Sequence, residues 1–392
     1  MNVVRHIGVI GGGQLAWMLM EAAVALNLEL VIQTPSLSDP AVDNGTRAGY
    51  PFKAVLGSVE DARITAQMAE ISQVITFENE FVDLPALQQL AAQGTCFRPS
   101  LSVLAPLLDK YEQRSFLRSL GLPVPTFYPM TPETSLAALG LSLPVVIKAR
   151  RHGYDGQGTF VIKTPEALEQ FWQRFSTNTD LRDRFLVEAF VPFTQELAIM
   201  AARSVTGQME VYPVVETYQP NQVCRWAIAP AQVSEAIQQD IKSMAQRLLE
   251  GLDVVGIIGI ELFLTEAGQI WVNEIAPRTH NSGHLTIEAC VTSQFMQQLR
   301  AVSGLPLGKP DLTHPGAVMV NLLGFESMRS DYAEKRQQLA ALPNTHVHWY
   351  GKAESRPGRK LGHVTVLLED NRQDHAIATA QQVESIWYPS TS

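Results

Sequence analysis

Short apolar runs alternate with helical periodicity in the first hundred residues. His6–Ile10 reads as a buried strand, Gln14–Leu26 carries apolar residues at helical spacing, and Glu29–Ile32 is again strand-like. Val74–Phe77 is a further apolar run, ending in Glu78-Asn79-Glu80, with a helical stretch to about Ala92. Strands alternating with helices predict a parallel, doubly wound sheet. Pro99 and Pro106 punctuate the exit from this unit.

The pattern then changes. Leu107–Leu120 reads as a helix stopped by Gly121 and Pro123, and Val145–Ala149 and Thr159–Ile162 read as strands around a glycine-rich loop. Phe185–Phe190, Glu196–Ala201 and Glu210–Val215 continue as strands, with Thr206-Gly207-Gln208 as a hairpin turn. A helix from about Val233 to Leu249 precedes a hairpin of Ile257–Leu264 and Ile270–Ile275. After Gly304-Leu305-Pro306 a smaller segment follows, with strands at Ala317–Leu322 and Val364–Leu368. The expected units are 1–105, 106–303 and 304–392.

Composition narrows the classes. With 392 residues, 46% apolar and 18% charged, the chain can build packed cores, and no apolar run is long enough for a spanning helix. The expectation is therefore no membrane segment and no secretory signal. Cys96, Cys224 and Cys290 form no CxxC pair, which predicts reduced thiols in the cytoplasm. Thirty basic against 39 acidic residues give −9, so nucleic acid is not an expected partner. Basic residues nonetheless gather at Lys352, Arg356, Arg359 and Lys360, with only Glu354 against them, a pattern suited to a phosphate monoester or to a solvated loop.

Three other clusters carry chemistry. Gly11-Gly12-Gly13-Gln14-Leu15-Ala16 matches the dinucleotide fingerprint G-x-G-x-x-A. The second strand, however, ends in Gln33-Thr34-Pro35 without the required acid, so a plain strand–helix turn competes with a nicotinamide-dependent oxidoreductase. Lys148 ends an apolar strand and is followed by Gly153-Tyr154-Asp155-Gly156-Gln157-Gly158. A buried lysine needs an anion, and glycine amides can cover phosphates. Finally, pairing Thr265 with Ile270 sets Glu261 opposite Glu274, a like-charge contact that a divalent cation relieves. Arg278, His280, Asn281, Ser282 and His284 follow closely.

Taken in order, these segments resemble one family, the 5-(carboxyamino)imidazole ribonucleotide synthases of the ATP-grasp superfamily. The resemblance rests on Ile7–Leu15, Thr76–Phe81, Gly153–Gly156, Asn273–Arg278, His280–His284, and Lys352 with Arg356 to His363. It implies an α/β and α+β chain: a biotin-carboxylase-like parallel α/β unit, a central ATP-grasp and a small C-terminal unit. It implies ATP-driven carboxylation of aminoimidazole ribonucleotide by bicarbonate through carboxyphosphate, with magnesium or manganese, in a homodimer. The neighbouring alternative is another ATP-grasp ribonucleotide ligase or formyltransferase acting through an acyl phosphate.

By the same resemblance, Lys110, Lys148 and the loop Gly153, Tyr154, Asp155, Gly156, Gln157, Gly158 and Thr159 would serve ATP. Glu188, Ala189, Phe190 and Val191 would form the adenine linker, Glu196 would bind ribose, and Gln219 and Asn273 would complete the nucleotide site. Glu261 and Glu274 would carry the metal. Gln14, Glu78, Tyr154, Asp155, Arg278, His280, Asn281, Ser282, Lys352, Arg359 and Lys360 would hold the ribotide or the intermediate. Against the family pattern, Gln157 stands for a cation, Lys110 for an arginine and Gln219 for a histidine.

Overall fold

In β1 (His6–Ile10), Ile7 and Val9 occupy one face and Ile10 the other; in the parallel neighbour β2 (Glu29–Thr34), Leu30 and Ile32 pair with Ile7 and Val9. Both faces are therefore buried. One packs on Leu15 and Leu19 of α1 (Gln14–Ala25) and Ala41 of α2 (Pro40–Ala48). The other packs on Met68 of α3 (Ala62–Ala69) and Leu87 of α4 (Leu84–Ala92). With β3 (Phe52–Leu56) and β4 (Val74–Phe77) the order is β3-β2-β1-β4, all parallel, as the sequence pattern predicts. The computed structural model describes residues 3–131, 134–151, 153, 158–175 and 184–389.

Beyond α5 (Leu101–Leu104), the helix expected from Leu107 begins later, as α6 (Lys110–Ser119). Pro106 sits in a 3-10 turn, and Asp109 caps α6 by accepting from the Tyr111 and Glu112 amides. β5 (Phe127–Met130), β6 (Val145–Ala149), β7 (Thr159–Ile162) and β8 (Phe185–Ala189) form an antiparallel sheet in the order β5-β8-β6-β7. α7 (Pro165–Phe175) buries Phe171 against it.

The remaining strands are β9 (Phe193–Arg203), β10 (Met209–Val211), β11 (Val215–Tyr218), β12 (Trp226–Ala229), β13 (Gly256–Thr265), β14 (Ile270–Ala276), β15 (Gly316–Leu323), β16 (Thr345–Trp349) and β17 (Lys360–Leu368). They form one sheet, β14-β13-β9-β11-β12-β15-β17-β16, with β10 beside β9. The single strand expected over Glu210–Val215 is broken, because Pro213 between β10 and β11 has no N–H for a ladder. The helices around this sheet are α8 (Glu235–Leu252), α9 (Thr286–Ala289), α10 (Gln294–Ser303), α11 (Ala333–Ala340) and α12 (Gln373–Trp387).

Two joins matter for the site. β12 pairs with β15, Trp226 opposite Val320, so the sheet runs uninterrupted into the C-terminal segment. Phe295 and Leu299 of α10 enter the core formed by β1 and α1, which fastens the first unit to the second. Among the described residues, no helix is long and apolar enough to cross a membrane.

Candidate active site

The β13–β14 hairpin turns one residue differently from the expected register. Leu264, not Thr265, pairs with Ile270, and Thr265 N–H donates to the Gln269 carbonyl at 3.0 Å. Glu261 still lies opposite Glu274, because a bulge takes up one extra residue between Val272 and Glu274. The bulge also breaks the alternation of faces, so consecutive residues Asn273 and Glu274 line the same cleft.

That cleft, about 530 Å³, collects most of the charged candidates. Lys148, at the end of β6, lies 2.5 Å from Glu188 Oε1 and donates to Asn273 Oδ1 at 3.0 Å. Arg114 of α6 holds the other Glu188 oxygen at 2.9 Å. Burial favours the neutral acid, but Arg114 and Lys148 outweigh it and hold the Glu188 carboxyl at about 2. Two cations on one carboxylate leave a net positive charge at the cleft wall. Lys110, the first residue of α6, meets Glu274 Oε1 at 2.6 Å. Among the described residues Glu261 pairs with no lysine or arginine but accepts from Asn273 Nδ2 at 3.2 Å; burial and the facing Glu274 push it up to about 7. Two facing acids that open onto the cleft, sharing one lysine partner among the described residues, fit a divalent cation completed by phosphate oxygens. Farther along, Val146, Val161, Phe190, Phe193 and Phe263 give the cleft an apolar slot, with Phe193 and Phe263 stacked at 4.5 Å. Glu196 lines it too, pushed up to about 7 by burial and then by Glu261.

The glycine turn is not open to a pyrophosphate. The Glu78 carboxylate, arriving from the end of β4, accepts from Leu15 N–H at 3.3 Å at the start of α1. A Cβ at Gly11 or Gly13 would collide with the Glu78 carboxylate, so these glycines admit a protein carboxylate to the helix N-terminus. The contact favours the plain strand–helix turn over the nicotinamide-dependent alternative. Glu80, two residues on, forms a two-point pair with Arg278 at 2.6 and 3.2 Å.

Past β14, His280 approaches Glu261 at 3.6 Å and its Nδ1 lies 2.9 Å from Ser282 Oγ. Asn281 exchanges paired amide bonds with Asn321 of β15, at 2.9 and 2.7 Å. From the C-terminal cluster, Lys360 lines the cleft, and Lys352 donates to Gln14 Oε1 at 2.9 Å. Arg359 instead donates to the Glu354 carbonyl at 2.8 Å, and Arg356 is exposed.

Of the residues expected from sequence, Gln14, Glu78, Lys148, Gly153, Thr159, Glu188, Ala189, Phe190, Val191, Glu196, Gln219, Glu261, Asn273, Glu274, Arg278, His280, Asn281 and Lys360 line this one cleft. Lys110, Ser282 and Lys352 touch residues that line it; Gly158 and Arg359 are not part of its wall. Tyr154, Asp155, Gly156 and Gln157 lie outside the described residues. Sequence reasoning missed Arg114, Asn321 and the Phe193–Phe263 pair. Arg114 was legible in principle as a cation on the buried face of an amphipathic helix, whereas Asn321 had no local signal.

Comparison with known proteins agrees with this layout. Residues 4–105 match the ribonucleotide synthetase preATP-grasp domain, 115–295 the ATP-grasp domain, and 317–376 the phosphoribosylaminoimidazole carboxylase C-terminal domain. The chain is 53% identical to the N5-carboxyaminoimidazole ribonucleotide synthase of Synechococcus elongatus over 98% of this chain and 96% of that one. An ADP complex of an N5-carboxyaminoimidazole ribonucleotide synthetase superposes with a TM-score of 0.88 at 32% identity, covering 99% and 98% of the two chains. The Aspergillus clavatus enzyme, solved with ADP and 5-aminoimidazole ribonucleotide, gives 0.87 at 30% identity over 98% and 99%. With its charge cluster, its carboxylate-filled glycine turn and its uninterrupted central sheet, the chain belongs to the N5-carboxyaminoimidazole ribonucleotide synthase family of ATP-grasp ligases.

Proposed function

We propose that this protein carboxylates 5-aminoimidazole ribonucleotide with bicarbonate at the expense of ATP, giving N5-carboxyaminoimidazole ribonucleotide, ADP and phosphate. The observation that carries the mechanism is that one cleft combines an apolar slot, the Lys148–Glu261–Glu274 charge cluster and the Arg278–His280–Lys360 end. The slot suits an adenine ring, with Ala189, Phe190 and Val191 along its edge, and Glu196 suits ribose hydroxyls. Lys148 and Lys110 face the phosphates. Glu261 and Glu274 would hold magnesium, which supplies charge neutralisation at the phosphates.

Bicarbonate is a weak electrophile. An oxygen of bicarbonate attacks the γ-phosphorus, ADP leaves, and the carboxyl carbon becomes a mixed anhydride. The exocyclic amine of the ribotide then forms the C–N bond as phosphate departs and the amine loses a proton. Little of this needs covalent help from the protein; positioning and charge stabilisation dominate. Arg278, His280 and Asn281 face the carboxyl-transfer region, while Lys360, Lys352 and Gln14 suit the ribotide. The loop Gly153–Thr159 is proposed to cover the phosphates and exclude water.

The test is ADP release from purified protein with ATP and bicarbonate, with and without 5-aminoimidazole ribonucleotide. Turnover that requires the ribotide is expected; none under saturating conditions would refute the reading. We further propose a homodimer, checked by sedimentation velocity, a cytoplasmic setting suited to three scattered cysteines with no CxxC motif, and units dividing at 105 and 303.

A further inference from the structure

Behind the cleft, Gln294 is fully buried at the first turn of α10. Its Oε1 accepts from the backbone N–H of His280 at 2.9 Å, and a backbone nitrogen can only donate, so the amide orientation is determined. Nε2 therefore donates, to the His280 carbonyl at 2.8 Å and toward His284 Nδ1 at 3.1 Å. His284 Nδ1 must then accept. A neutral imidazole with an accepting Nδ1 carries its proton on Nε2. Gly283 belongs to the same device, since a Cβ there would come within 2.7 Å of Gln294 Oε1.

We propose that His284 is a neutral N–H donor to a carboxyl oxygen of the bicarbonate-derived group, and that Gln294 is the positioning residue that holds it in that tautomer. His284 is 1% exposed, yet it lines the cleft together with His280, Asn281 and Lys360. Burial, followed by the nearby charge of Lys360, keeps its pKa well below the ordinary histidine value, in agreement with a neutral ring. A neutral donor matches a singly charged carboxyl group better than a doubly charged phosphate, for which Lys360 and Lys352 are at hand. His280, four residues earlier, lies 3.6 Å from Glu261, and His284 shares one cleft with that acid pair.

The proposal rests on the carboxylation reading, and ribotide-dependent turnover of the unaltered protein tests that reading separately. Side-chain amides then distinguish the two ring nitrogens, because His284→Gln keeps a donor near the Nε2 position and His284→Asn only near Nδ1. His284→Asn is expected to raise the KM for bicarbonate ~10-fold or more, with the KM for ATP changed less than about twofold. His284→Gln should stay within about threefold of the unaltered enzyme. Nitrogen-15 NMR of the histidine rings, assigned by the signal lost in His284→Gln, should show an Nε2-protonated neutral ring. Gln294→Glu should shift that signal toward an Nδ1-protonated or charged ring and raise the bicarbonate KM. Equal losses in both His284 variants, a KM effect confined to ATP or ribotide, or an Nδ1-protonated ring in the unaltered protein would each overturn the proposal.

Discussion

Two carboxylates, Glu78 and Glu261, show how differently the same group can be used. Glu78, at the end of β4, sits at a helix N-terminus and accepts a backbone N–H, closing an anion site with the protein's own anion. Glu261, in β13, faces Glu274 and accepts from the neutral Asn273 amide at 3.2 Å, and among the described residues no lysine or arginine pairs with it. The glycine turn beside Glu78 has the sequence marks of a ligand site, yet the protein fills it. The Glu261–Glu274 pairing has the marks of a fault in a hairpin, yet it opens onto the cleft. The two differ in what meets them: backbone amides of the glycine turn meet Glu78, whereas a second carboxylate meets Glu261.

The strongest way to break this comparison is Glu274→Ala. Turnover is expected to fall about 1,000-fold or more, roughly 4 kcal/mol of lost transition-state stabilisation, while the thermal midpoint changes little. ADP release and a circular dichroism melt check both halves. Unimpaired turnover would remove the acid pair from the mechanism.

Glu78→Ala should act the other way around, chiefly on stability. It leaves the backbone amides of Gly13 and Leu15 without their carboxylate acceptor and takes a negative charge from beside Arg278, at a cost of about 1–3 kcal/mol in urea unfolding. A variant as stable as the parent would mean that the glycine turn does not depend on its carboxylate.

A third carboxylate sharpens the contrast through pH. Glu288 of α9 meets His348 of β16 at 2.6 Å, joining the central and C-terminal segments. Burial lowers the His348 pKa, but the Glu288 hydrogen bond and charge, with Glu21, raise it above the ordinary value. A raised folded-state pKa stabilises fully below the unfolded value of about 6.5 and loses that contribution as pH climbs through the folded value. Glu21, raised mainly by burial, adds a loss of the same sign as pH rises through its own folded value. Unfolding free energy should therefore decline above about pH 6.5, by at most about 1.4 kcal/mol per pH unit per proton. His348→Gln should flatten the decline, and an unchanged profile would remove His348 from it.

The smallest effect is expected at Gln219, whose Nε2 donates to Thr217 Oγ1 at 3.2 Å on the nucleotide side. Gln219→His should change the KM for ATP less than about threefold, since the exchange keeps a side-chain N–H donor at a half-buried position of the cleft wall. A larger change would make this position part of nucleotide recognition.

Much of this was legible along the chain. The parallel βα alternation, the Lys148 strand and the acid pair followed from periodicity and charge. The acid pair was reached through the wrong turn register, corrected by a bulge that no local pattern announces. The Gly11–Ala16 turn stayed ambiguous along the chain because glycine signals close approach without saying of what; the approaching group is Glu78, more than sixty residues away. The basic cluster was equally ambiguous along the chain: of its four cations Lys360 forms part of the cleft wall, while Arg359 donates to the Glu354 carbonyl.

The sequence by itself determined the elements and the chemical types at hand, because period, capping residues and charge are local properties. Only the tertiary structure decided which charges are compensated. Arg114 and Lys148 share Glu188, Glu80 engages Arg278, and Gln294 sets the proton of His284, all through packing that the chain order does not announce. Electrostatic and hydrogen-bond partners act through space over a few ångströms, so their pairing becomes readable only once folding has brought those groups together.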